Sequence, residues 1–326
     1  MKSVRCNTDQ ELQICGITND DCDIGSANID IAVNVDELPD SGQTIHARGQ
    51  QINIGGKGAN QAVAARSIYR GGVRFMAAVG DDPFGRFFCS EIQRYGLSTA
   101  HIRAHSNSPT GMALIHIDKA ANNSITVCGG ANMDWPDTEP DSLFFEGAKI
   151  ALFQLETPIA VTVSALQKAR SAQALTIVDP APIPNTNLDS LLTLADIITP
   201  NEDEARALGT DKIVTIDDAC RAAAHLCSRG PKKIVITLGK RGAVYCEGGL
   251  DPVFVPPFNV QAIDSVAAGD CFNGALAASL AEDMSFDQAV RFATAASAIS
   301  VTRRGTAASI PSCGEIDAFL KTGHII

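Results

Sequence analysis

The sequence predicts an α/β fold in which a mostly parallel sheet is covered by helices on both faces. From about residue 145 onward, short apolar runs alternate with longer helical segments, the order expected of strand–helix–strand units. The apolar runs are rich in β-branched residues and nearly continuous, which is typical of strands buried on both faces of a sheet. With 326 residues, of which 45% are apolar, the chain can bury a large core as one large domain or two domains.

The second half of the chain supplies most of these elements in a regular order. Strands are predicted at 149–156 (KIALFQLE), 174–179 (ALTIVD), 196–201 (DIITPN) and 232–239 (KKIVITLG). Helices are predicted at 161–172, 216–230 and 287–305. The helix at 216–230 is expected to begin at an aspartate cap and to end at Gly230, because Asp is common at the start of helices and Gly just past their end.

The first half of the chain contains antiparallel pieces that sit apart in sequence. IDIAVNVDELP (29–39) and QTIHARGQQINIGG (43–56) have the pattern of strands that turn at Pro39 and Gly42. MALIHIDKAANNSITVCGG (112–130) has the pattern of a hairpin around Ala121, Asn122 and Asn123. Neither piece is long enough to form a domain alone, so we expect a small β-sheet flap on the larger α/β body.

The first strand of the body is ambiguous. The segment before Gly25, ITNDDCDIGS (17–26), carries too many acidic residues and amides for an ordinary central strand, where an unpaired charge is costly to bury. The strand could be short, could lie at an edge, or could use ELQICGI (11–17) instead. The residues alone leave these alternatives open.

Charge and composition exclude several classes of protein. The 26 Lys and Arg against 37 Asp and Glu give a net charge of −11, which argues against nucleic-acid or anionic-membrane partners. No run approaches the roughly 20 apolar residues that span a bilayer, and the N-terminal segment lacks the apolar stretch of a secretory signal. Ten cysteines are scattered without a CxxC pair, so we expect small core residues in a reducing cytoplasm rather than disulfides or zinc ligands.

Two glycine-rich segments have the pattern of anion-binding turns. GGKGANQAVAA (55–65) combines three glycines with a helix start, but the glycine after Lys57 excludes a Walker A loop. DSVAAGDCFNGALAASLA (264–281) places a turn of small residues before a helix with Asp270 in its first turn. Such an acid can accept a proton from a hydroxyl while the turn amides stabilise a phosphoryl group. A glycine turn into a packed helix, and an acid that merely favours the helix dipole, are the structural alternatives.

Two further segments follow predicted strands. In TPNEDEA (199–205), Asn201 and Glu204 are three residues apart and face the same way on a starting helix. They are either an N-cap with acids in the first turn or part of a water-mediated Mg²⁺ and phosphate site. ITLGKRGA (236–243) is a strand that enters a two-glycine turn, for which a β-hairpin is the plain interpretation.

The order of these motifs resembles the ribokinase branch of the PfkB sugar kinases. The resemblance covers roughly residues 24 to 322. GSANID (25–30) is similar to the first sugar-contact motif of the family, and GGKGANQAVAA to its first signature. The other matching segments, in family order, are FQLETP (153–158), DPAP (179–182), ITPNEDEA (198–205), ITLGKRGA (236–243), AIDSVAAGDCFNGAL (262–276) and ISVTRRGTAASIP (299–311).

This resemblance implies a ribokinase-like three-layer α/β/α sandwich with a mostly parallel central sheet and a small β-sheet lid. The whole chain, 1–326, would be a single kinase domain whose lid is formed by about 29–55 and 110–130. The implied reaction is ATP-dependent phosphorylation of the terminal hydroxymethyl group of a pentose, D-ribose to ribose 5-phosphate. Mg²⁺ and an activating monovalent cation, usually K⁺, are the implied metal ions, and the implied assembly is a homodimer through the lid in the cytoplasm.

The resemblance also assigns roles to residues by position. Asp270 matches the catalytic base, and Ala267, Ala268 and Gly269, with the Asp270 amide, match the anion hole. The positions that match sugar contacts are Asn28, Asp30, Gly56, Lys57, Asn60 and Glu156. The positions that match the nucleotide and magnesium region are Asn201, Glu204, Thr237, Gly239, Gly242 and Asn273. The positions that match the loops around the monovalent cation are Asp264, Val266, Ser300, Arg303, Gly305 and Ser309.

The residue types agree with this chemistry, because short acids and amides suit the many hydroxyls of a sugar. Departures from the family pattern affect the phosphate-donor side: Ser265, Ala267, Cys271, Thr294 and the DPAP segment replace its more usual residues. The base preference of the nucleotide pocket therefore stays open. The open alternatives for function are a kinase for 2-deoxyribose, another sugar or a nucleoside, and a non-catalytic sugar sensor. A Rossmann dehydrogenase is disfavoured, because the sequence has no GxGxxG after its first strand.

Overall fold

The computed structural model describes residues 20–120, 122–135 and 140–325. In these ranges the chain forms a large sheet with helices on both faces and a separate small sheet. The strands are β1 Asp20–Ile24, β2 Asn28–Asn34, β3 Gly49–Gly55, β4 Val73–Gly80, β5 Ile102–His105, β6 Gly111–Ile117, β7 Asn123–Cys128, β8 Ala148–Phe153, β9 Leu175–Val178, β10 Ile197–Ile198, β11 Lys233–Thr237, β12 Ala243–Glu247 and β13 Val253–Val255.

The helices follow the sequence signals closely. They are α1 Lys57–Ile68, α2 Pro83–Arg94, α3 Ile159–Ser171, α4 Asp189–Leu194, α5 Glu202–Ala207, α6 Ile216–Cys227, α7 Ala268–Ala281, α8 Phe286–Ser300 and α9 Cys313–Thr322. The expected ends of two helices were wrong. The helix predicted at 287–305 is α8, which ends at Ser300, and α6 differs from the prediction at both ends. The cap of α6 is the Thr215 hydroxyl, which accepts from the Asp218 amide, and Asp218 completes a capping box in return. The helix ends at Cys227, three residues before Gly230.

The large sheet has the order β13-β12-β11-β10-β9-β8-β1-β4-β5. Its strands from β5 to β11 pair in parallel, while β12 and β13 extend one edge by antiparallel pairing. The predicted hairpin at 236–243 is confirmed, because β11 and β12 are joined by the turn Gly239–Arg241. The three-layer prediction is confirmed as well: α1, α2, α7, α8 and α9 pack on one face, and α3 to α6 on the other.

Successive residues of the inner strands point to opposite faces of the large sheet and belong in turn to the two hydrophobic cores, one on each face. On β4, Phe75 belongs to the core under α1 and α7, whereas the next residue, Met76, belongs to the core under α3 and α6. A strand buried on both faces needs apolar residues at successive positions, which explains the apolar run of β4 after Arg74. The acidic strand β1 is the exception. It is short, it lies between β4 and β8 rather than at an edge, and the alternative ELQICGI lies outside the described residues.

The small sheet consists of β2, β3, β6 and β7 in the order β3-β2-β6-β7. The β2–β3 and β6–β7 pairs are antiparallel, as the sequence predicts, although Ala121 of the second turn is outside the described residues. The two pairs are joined by parallel pairing of β2 with β6, which the sequence did not indicate. This pairing places Asn28 opposite Gly111 and brings the second hairpin next to the GSANID segment.

All eight cysteines in the described ranges carry free thiols. Only Cys22, Cys246 and Cys271 are buried, and Cys128 is exposed on β7, so the expectation that the cysteines are core residues holds for part of them. No helix in the described part of the chain combines the length and the apolar character needed to cross a membrane.

Candidate active site

The carboxyl ends of the parallel strands bring many of the predicted site residues to one edge of the large sheet. Glu156 follows β8, Asp179 follows β9 and Asn201 follows β10. The N-terminus of α1 reaches the same edge, because the Lys57 amide donates a 3.0 Å hydrogen bond to Glu156. Ligands of open α/β sheets usually bind at this edge, so the fold itself indicates the location of the site.

Asp270 lies in the first turn of α7 and is 5% exposed. Ala267, the residue before the helix, has φ 58° and therefore adopts the left-handed conformation that glycine prefers. The Ala268 amide donates to the Ser265 carbonyl at 3.3 Å, whereas the amides of Ala267, Gly269 and Asp270 have no acceptor among the described residues and are the free donors of the predicted anion hole. A methyl group added at Gly269 would meet no atom within 4 Å, so these donors border open space.

The two helices that frame Asp270 are packed closely together. A Cβ atom at Gly274 of α7 would lie 2.4 Å from the Ala64 methyl group of α1. This close approach lets two side chains of α1 reach Asp270: Asn60 Nδ2 donates to Asp270 Oδ2 at 3.0 Å, and Gln61 Nε2 donates to Asp270 Oδ1 at 3.1 Å. Each carboxylate oxygen of Asp270 therefore accepts one amide hydrogen, which fixes the orientation of the carboxylate.

The turn before α1 holds the first glycine motif against the first sugar motif. Gly56 has φ 92°, and a Cβ atom there would lie 2.8 Å from the Ser26 carbonyl oxygen, so only glycine fits. The Ser26 hydroxyl in turn donates to Glu156 and accepts from the Gly58 amide at 3.3 Å. Glu156 is thus fixed by the backbone of one motif and the side chain of the other.

The expected sugar contacts lie around this turn. Asp30 of β2 is half-buried and packs over Gly55 of the neighbouring strand, where a Cβ atom would lie 2.1 Å from its carboxylate. Burial, with the added charges of Glu156 and Asp270, raises the pKa of Asp30 to about 7. Asn28 is held by a residue that the sequence did not single out: Asn132 Nδ2 donates to Asn28 Oδ1 at 2.7 Å.

Lys57 is the cation of the site. Its burial alone would lower its pKa, but the carboxylates of Asp270, Asp179 and Glu156 outweigh that effect and hold the pKa above its ordinary value. Lys57 is therefore fully charged at neutral pH. Burial and the Asp270 charge raise the pKa of Asp179 to about 8, against the opposing effects of Lys57 and of a hydrogen bond from Gln61.

The residues assigned to the nucleotide lie on two neighbouring loops. An isolated parallel bridge joins Asn201 to Thr237, which ends β11, and Gly239 and Gly242 form the turn that follows. Asn201 and Glu204 form a capping box at the start of α5: the Glu204 amide donates to Asn201 at 2.9 Å, and the Asn201 amide donates to Glu204 Oε2 at 2.8 Å. The capping contacts are therefore present, and Glu204 accepts from the Asn201 amide through Oε2.

Asn273 lies one turn after the base on α7 and is 2% exposed. Its Oδ1 atom has no hydrogen-bond partner in the described ranges. A buried amide oxygen without a partner is unusual, and it leaves an acceptor near the first turn of the helix.

The two segments assigned to the monovalent cation are adjacent. Asp264 accepts from the Val266 amide at 3.0 Å and from the Gly305 amide at 3.1 Å, so one carboxylate bridges the loops. Ser300 donates to the Ser297 carbonyl, and Ser309 donates to the Thr306 carbonyl. Arg303 points to α9, where it forms an ion pair with Glu315. Its side chain therefore lies away from these loop oxygens, and only its main chain remains a candidate ligand.

Sequence reasoning missed the buried polar residues beneath the site. Gln61, Gln154 and Asp179 all contact one another or the base, and Asp23 joins them from β1. Gln61 lies inside the first glycine motif, and Gln154 lies in FQLETP, but a buried amide gives no spacing signal. Within the described ranges, no group of three His, Cys, Asp or Glu side chains is arranged to hold a metal ion.

Comparison with known proteins identifies the family. The pfkB family carbohydrate kinase profile matches residues 21–313. The chain is 38% identical to the ribokinase of Haemophilus influenzae, over 91% of this chain and 97% of that protein. It is 32% identical to the ribokinase of Arabidopsis thaliana, over 91% of this chain and 80% of that protein.

Two solved structures have the same fold over nearly the whole chain. Ribokinase from Thermotoga maritima superposes with a TM-score of 0.85 at 35% identity, over 94% of this chain and 100% of that chain. Ribokinase from Arabidopsis thaliana, complexed with ribose and ATP, has a TM-score of 0.85 at 30% identity, over 94% of this chain and 99% of that chain. The chain belongs to the pfkB family of carbohydrate kinases, as the order of its motifs predicted.

Proposed function

We propose that this protein transfers the γ-phosphoryl group of ATP to the terminal hydroxymethyl group of D-ribose and forms ribose 5-phosphate. Membership of the family makes it a sugar kinase and hence a phosphotransferase. The choice of ribose is supported by the ribokinases that match at 32% to 38% identity over most of their length. The main observation behind the proposed chemistry is the position of Asp270. It lies in the first turn of α7, next to the predicted anion hole, and accepts hydrogen bonds from the side-chain amides of Asn60 and Gln61.

Asp270 is proposed to remove the proton of the hydroxyl group that attacks the phosphorus atom. Both of its oxygens keep a lone pair after accepting from Asn60 and Gln61, so the base can accept a third hydrogen bond from the sugar. The amides of Gly269 and Asp270 would bind the transferring phosphoryl oxygens, and the dipole of α7 adds to their field. Lys57, charged and close to Asp270, offsets negative charge that develops during transfer.

The sugar would be bound by Asn28, Asp30, Asn60 and Glu156 at the edge of the small sheet, beside Gly56 and Lys57. Asn60 donates to the base through its nitrogen, while its Oδ1 atom has no partner in the described residues. That free acceptor, together with the carboxylate of Asp30, matches the hydroxyl donors of a pentose ring. The small sheet, about 29–55 and 110–130, is proposed to act as a lid on a single kinase domain.

ATP is proposed to lie along Asn201, Thr237, Gly239 and Gly242, with Glu204 and Asn273 nearby. The donor set fits Mg²⁺, because the carboxyl groups of Glu204 and Asp179 both lie near the charged Lys57 and Asp179 also lies near Asp270. Mg²⁺ is commonly held by one or two carboxylates together with substrate phosphates and water. When bound, Mg²⁺ would neutralise phosphate charge, and the carboxyl groups of Glu204 and Asp179 would hold it in place.

A monovalent cation, K⁺ in the proposal, would bind between the loops Asp264–Val266 and Ser300–Ser309. The main-chain carbonyls of Val266, Arg303 and Gly305 accept no backbone hydrogen bond in the described part of the chain, so they are available as ligands. Ser300 and Ser309 each keep an acceptor lone pair after donating. A cation there would support the turn at Ala267 and strengthen its field at the phosphoryl group.

The proposed assembly is a homodimer through the small sheet. Strand register places Val127 in one row with Ala113 and Asp30, so exposed apolar residues lie on the same face of the sheet as the sugar contact. Val127 is 55% exposed and Ile125 is 50% exposed on this face. A second copy of the small sheet could bury these apolar residues in a dimer interface, and sedimentation velocity would measure the association.

The free thiols support a proposed cytoplasmic location.

The decisive experiment is a panel of sugars and nucleosides with ATP and Mg²⁺, measured as ADP release, with the product identified by ³¹P NMR. D-ribose is expected to have the highest kcat/KM and to form the 5-phosphate. A higher kcat/KM for 2-deoxyribose, which a 29% identical Salmonella deoxyribokinase makes a reasonable competitor, would assign the other pentose. No ADP release above background with any acceptor would overturn the proposal in favour of a sugar sensor.

A further inference from the structure

Two glutamine side chains connect the base to the central strand of the sheet. Gln61 on α1 is fully buried, and Gln154, which follows β8, is 1% exposed. Gln154 Nε2 donates to Gln61 Oε1 at 2.7 Å and to Asp23 Oδ1 at 3.1 Å. Gln61 Nε2 then donates to Asp179 Oδ2 at 2.7 Å and to Asp270 Oδ1 at 3.1 Å.

The direction of this chain of hydrogen bonds is fixed at its far end by Asp23. A carboxyl oxygen accepts from Gln154, so the Gln154 amide must present its nitrogen to Asp23 and to Gln61. The Gln61 oxygen is then occupied, and its nitrogen must face Asp179 and Asp270. A reversed Gln61 would place its amide oxygen against the Asp270 carboxylate and would turn its nitrogen toward the Gln154 nitrogen, which is itself a donor.

Asp23 can accept from Gln154 in either protonation state. It is 2% exposed, and burial raises its pKa well above the ordinary value even though Gln154 donates to it. A neutral carboxyl group accepts through one oxygen and carries its proton on the other; Asp23 Oδ1 accepts from Gln154, and Oδ2 has no partner among the described residues. Acid residues are unexpected in a central strand, and the amide of Gln154 supplies a reason for this one.

The consequence for the base is a fixed carboxylate. Asp270 is faced by Lys57 from α1, by Asp30 from β2, by Asp179 after β9 and, further away, by Asp23 from β1. The Gln61 amide stands between the carboxyl groups of Asp179 and Asp270. Together with Asn60, it fixes the plane of the Asp270 carboxylate.

We propose that Gln61 is the positioning residue of the base Asp270, and that Gln154 and Asp23 hold its amide in the donating orientation. This inference rests on the proposed sugar kinase function, in which Asp270 is the base. Gln61 itself would touch neither sugar nor nucleotide, so its effect is expected in turnover and in the pH profile rather than in substrate binding.

The test is the kcat–pH profile of Gln61→Met, which keeps the side-chain length but removes both donors. Misplacement of a reacting group commonly costs 10- to 100-fold in rate, so kcat is expected to fall by about that factor, with KM for sugar and ATP changed less than twofold. The acid limb of the profile is expected to move to higher pH, because the ionised base loses a donor. A purely structural role would lower the melting temperature without moving that limb.

A double-mutant cycle shows whether Gln154 affects Asp270 through Gln61 or whether the two glutamine substitutions lower the rate independently. Gln154→Met leaves Gln61 in place but frees its amide to turn, so the double variant should have the kcat of Gln61→Met alone. Asp23→Asn, which keeps an acceptor, should retain kcat, whereas Asp23→Leu should match Gln154→Met. Ser279→Ala, which removes a buried hydroxyl elsewhere on α7, is the matched control and should leave the profile unchanged. Should Gln61→Met fail to fold, the kcat–pH profiles of Gln154→Met and Asp23→Leu test the same proposal.

Each result decides one of the two proposals. An unmoved acid limb in Gln61→Met, or rate losses of the two glutamine variants that multiply in the double variant, would overturn the positioning role while wild-type turnover stands. Wild-type protein without turnover on any sugar would overturn the proposed function, and the positioning role with it.

Discussion

The Asn60 side chain donates a 3.0 Å hydrogen bond to the Asp270 carboxylate and thereby ties the start of α1 to the start of α7. Asn60 belongs to the first glycine motif, and Asp270 belongs to the small-residue turn 210 residues later. Two segments that each resemble an ordinary turn before a helix thus form one site. Their contact explains why the motifs are informative as a set and ambiguous one at a time.

Asp270→Asn is the direct test of the base. The substitution keeps the shape of the side chain but removes the carboxylate that is proposed to accept the hydroxyl proton. We expect kcat to fall by about 10²- to 10⁴-fold, the usual contribution of a general base, while dissociation constants for sugar and ATP change little. Steady-state rates and calorimetric titration measure the two quantities. Turnover near the wild-type value would remove Asp270 from the mechanism.

Asp30 predicts a pH dependence of sugar binding. Its pKa of about 7 leaves the carboxyl group protonated at pH 6 and ionised at pH 8. The ionised form accepts from more hydroxyl groups, so KM for the sugar should fall as the pH rises through 7. Asp30→Ala should raise KM by about 5- to 150-fold, since each unpaired buried hydroxyl costs about 1–3 kcal/mol. KM measured from pH 6 to pH 8 should become independent of pH in this variant, and an unchanged KM would make the motif structural.

Asp21 predicts a pH dependence of stability. Both of its carboxyl oxygens are buried without a partner in the described residues, and burial, with the charge of Asp20, raises its pKa well above the ordinary value. The folded protein therefore keeps a proton that the unfolded chain releases above about pH 4, so the free energy of unfolding falls as pH rises. Asp21→Asn cannot ionise and should be more stable than wild type at pH 8, but not at pH 4.

Urea unfolding at the two pH values measures this difference. We expect it to exceed about 1.4 kcal/mol, the equivalent of one pH unit of separation between the folded and unfolded pKa values. Asp251→Asn, at an exposed loop position, is the control and should follow the wild-type pH dependence. Equal slopes for Asp21→Asn and wild type would show that Asp21 titrates normally in the folded protein.

The sequence predicted the elements well where a local signal decides them. The apolar runs became β8, β9 and β11, and the acid at 270 lies in the first turn of α7 as expected. The sequence predicted less where contacts with residues far away in the chain determine the local structure. Strand β1 was ambiguous because its acids oppose burial, and only the fold supplies the Gln154 amide that meets Asp23. The cap of α6 was assigned to an aspartate because Asp and Thr are both good caps, and the local backbone selects Thr215.

The site shows the same division. Turns with glycine and helix starts could be located from residue types, because their backbone requirements are local. Asn132, Gln61 and Gln154 could not, since an amide becomes part of a site only when the fold brings it to a partner. Their contacts cross between strands and helices that are far apart in sequence, which single-sequence patterns do not report.

Gly269→Ala should separate stability from activity. Its added methyl group would meet no atom within 4 Å, and Ala is favoured over Gly in a helix by about 0.5–1 kcal/mol, so the melting temperature should hold or rise. The methyl group would enter the space beside the anion-hole amides, so kcat/KM for ATP should fall about 10-fold or more. Gly314→Ala, at the same second position of α9 and equally open, should give the stability change alone. Full activity in Gly269→Ala would place the phosphoryl group elsewhere.

Potassium activation is the last prediction, and it depends on the loops at Asp264 and Gly305. The Asp264 carboxylate bridges these loops by accepting from the Val266 and Gly305 amides, and we predict that the main-chain oxygens of the loops form a ring beside the turn that precedes α7. A large ion would fit such a ring better than Li⁺, because the carbonyls cannot close on a small ion. The ion would act on the geometry of the anion hole rather than as a reactant.

Activity should therefore rise severalfold when K⁺ replaces Na⁺ or Li⁺ at constant ionic strength and saturating Mg²⁺. Asp264→Ala should lower turnover and abolish the difference between ions, since it removes the bridge that holds the two loops together. Asp264→Asn keeps an acceptor for one loop amide and should retain part of the activation. Because the ring would act through α7, the ion should change kcat more than KM for the sugar. Equal rates in K⁺, Na⁺ and Li⁺ after thorough dialysis would leave these loops a purely structural role.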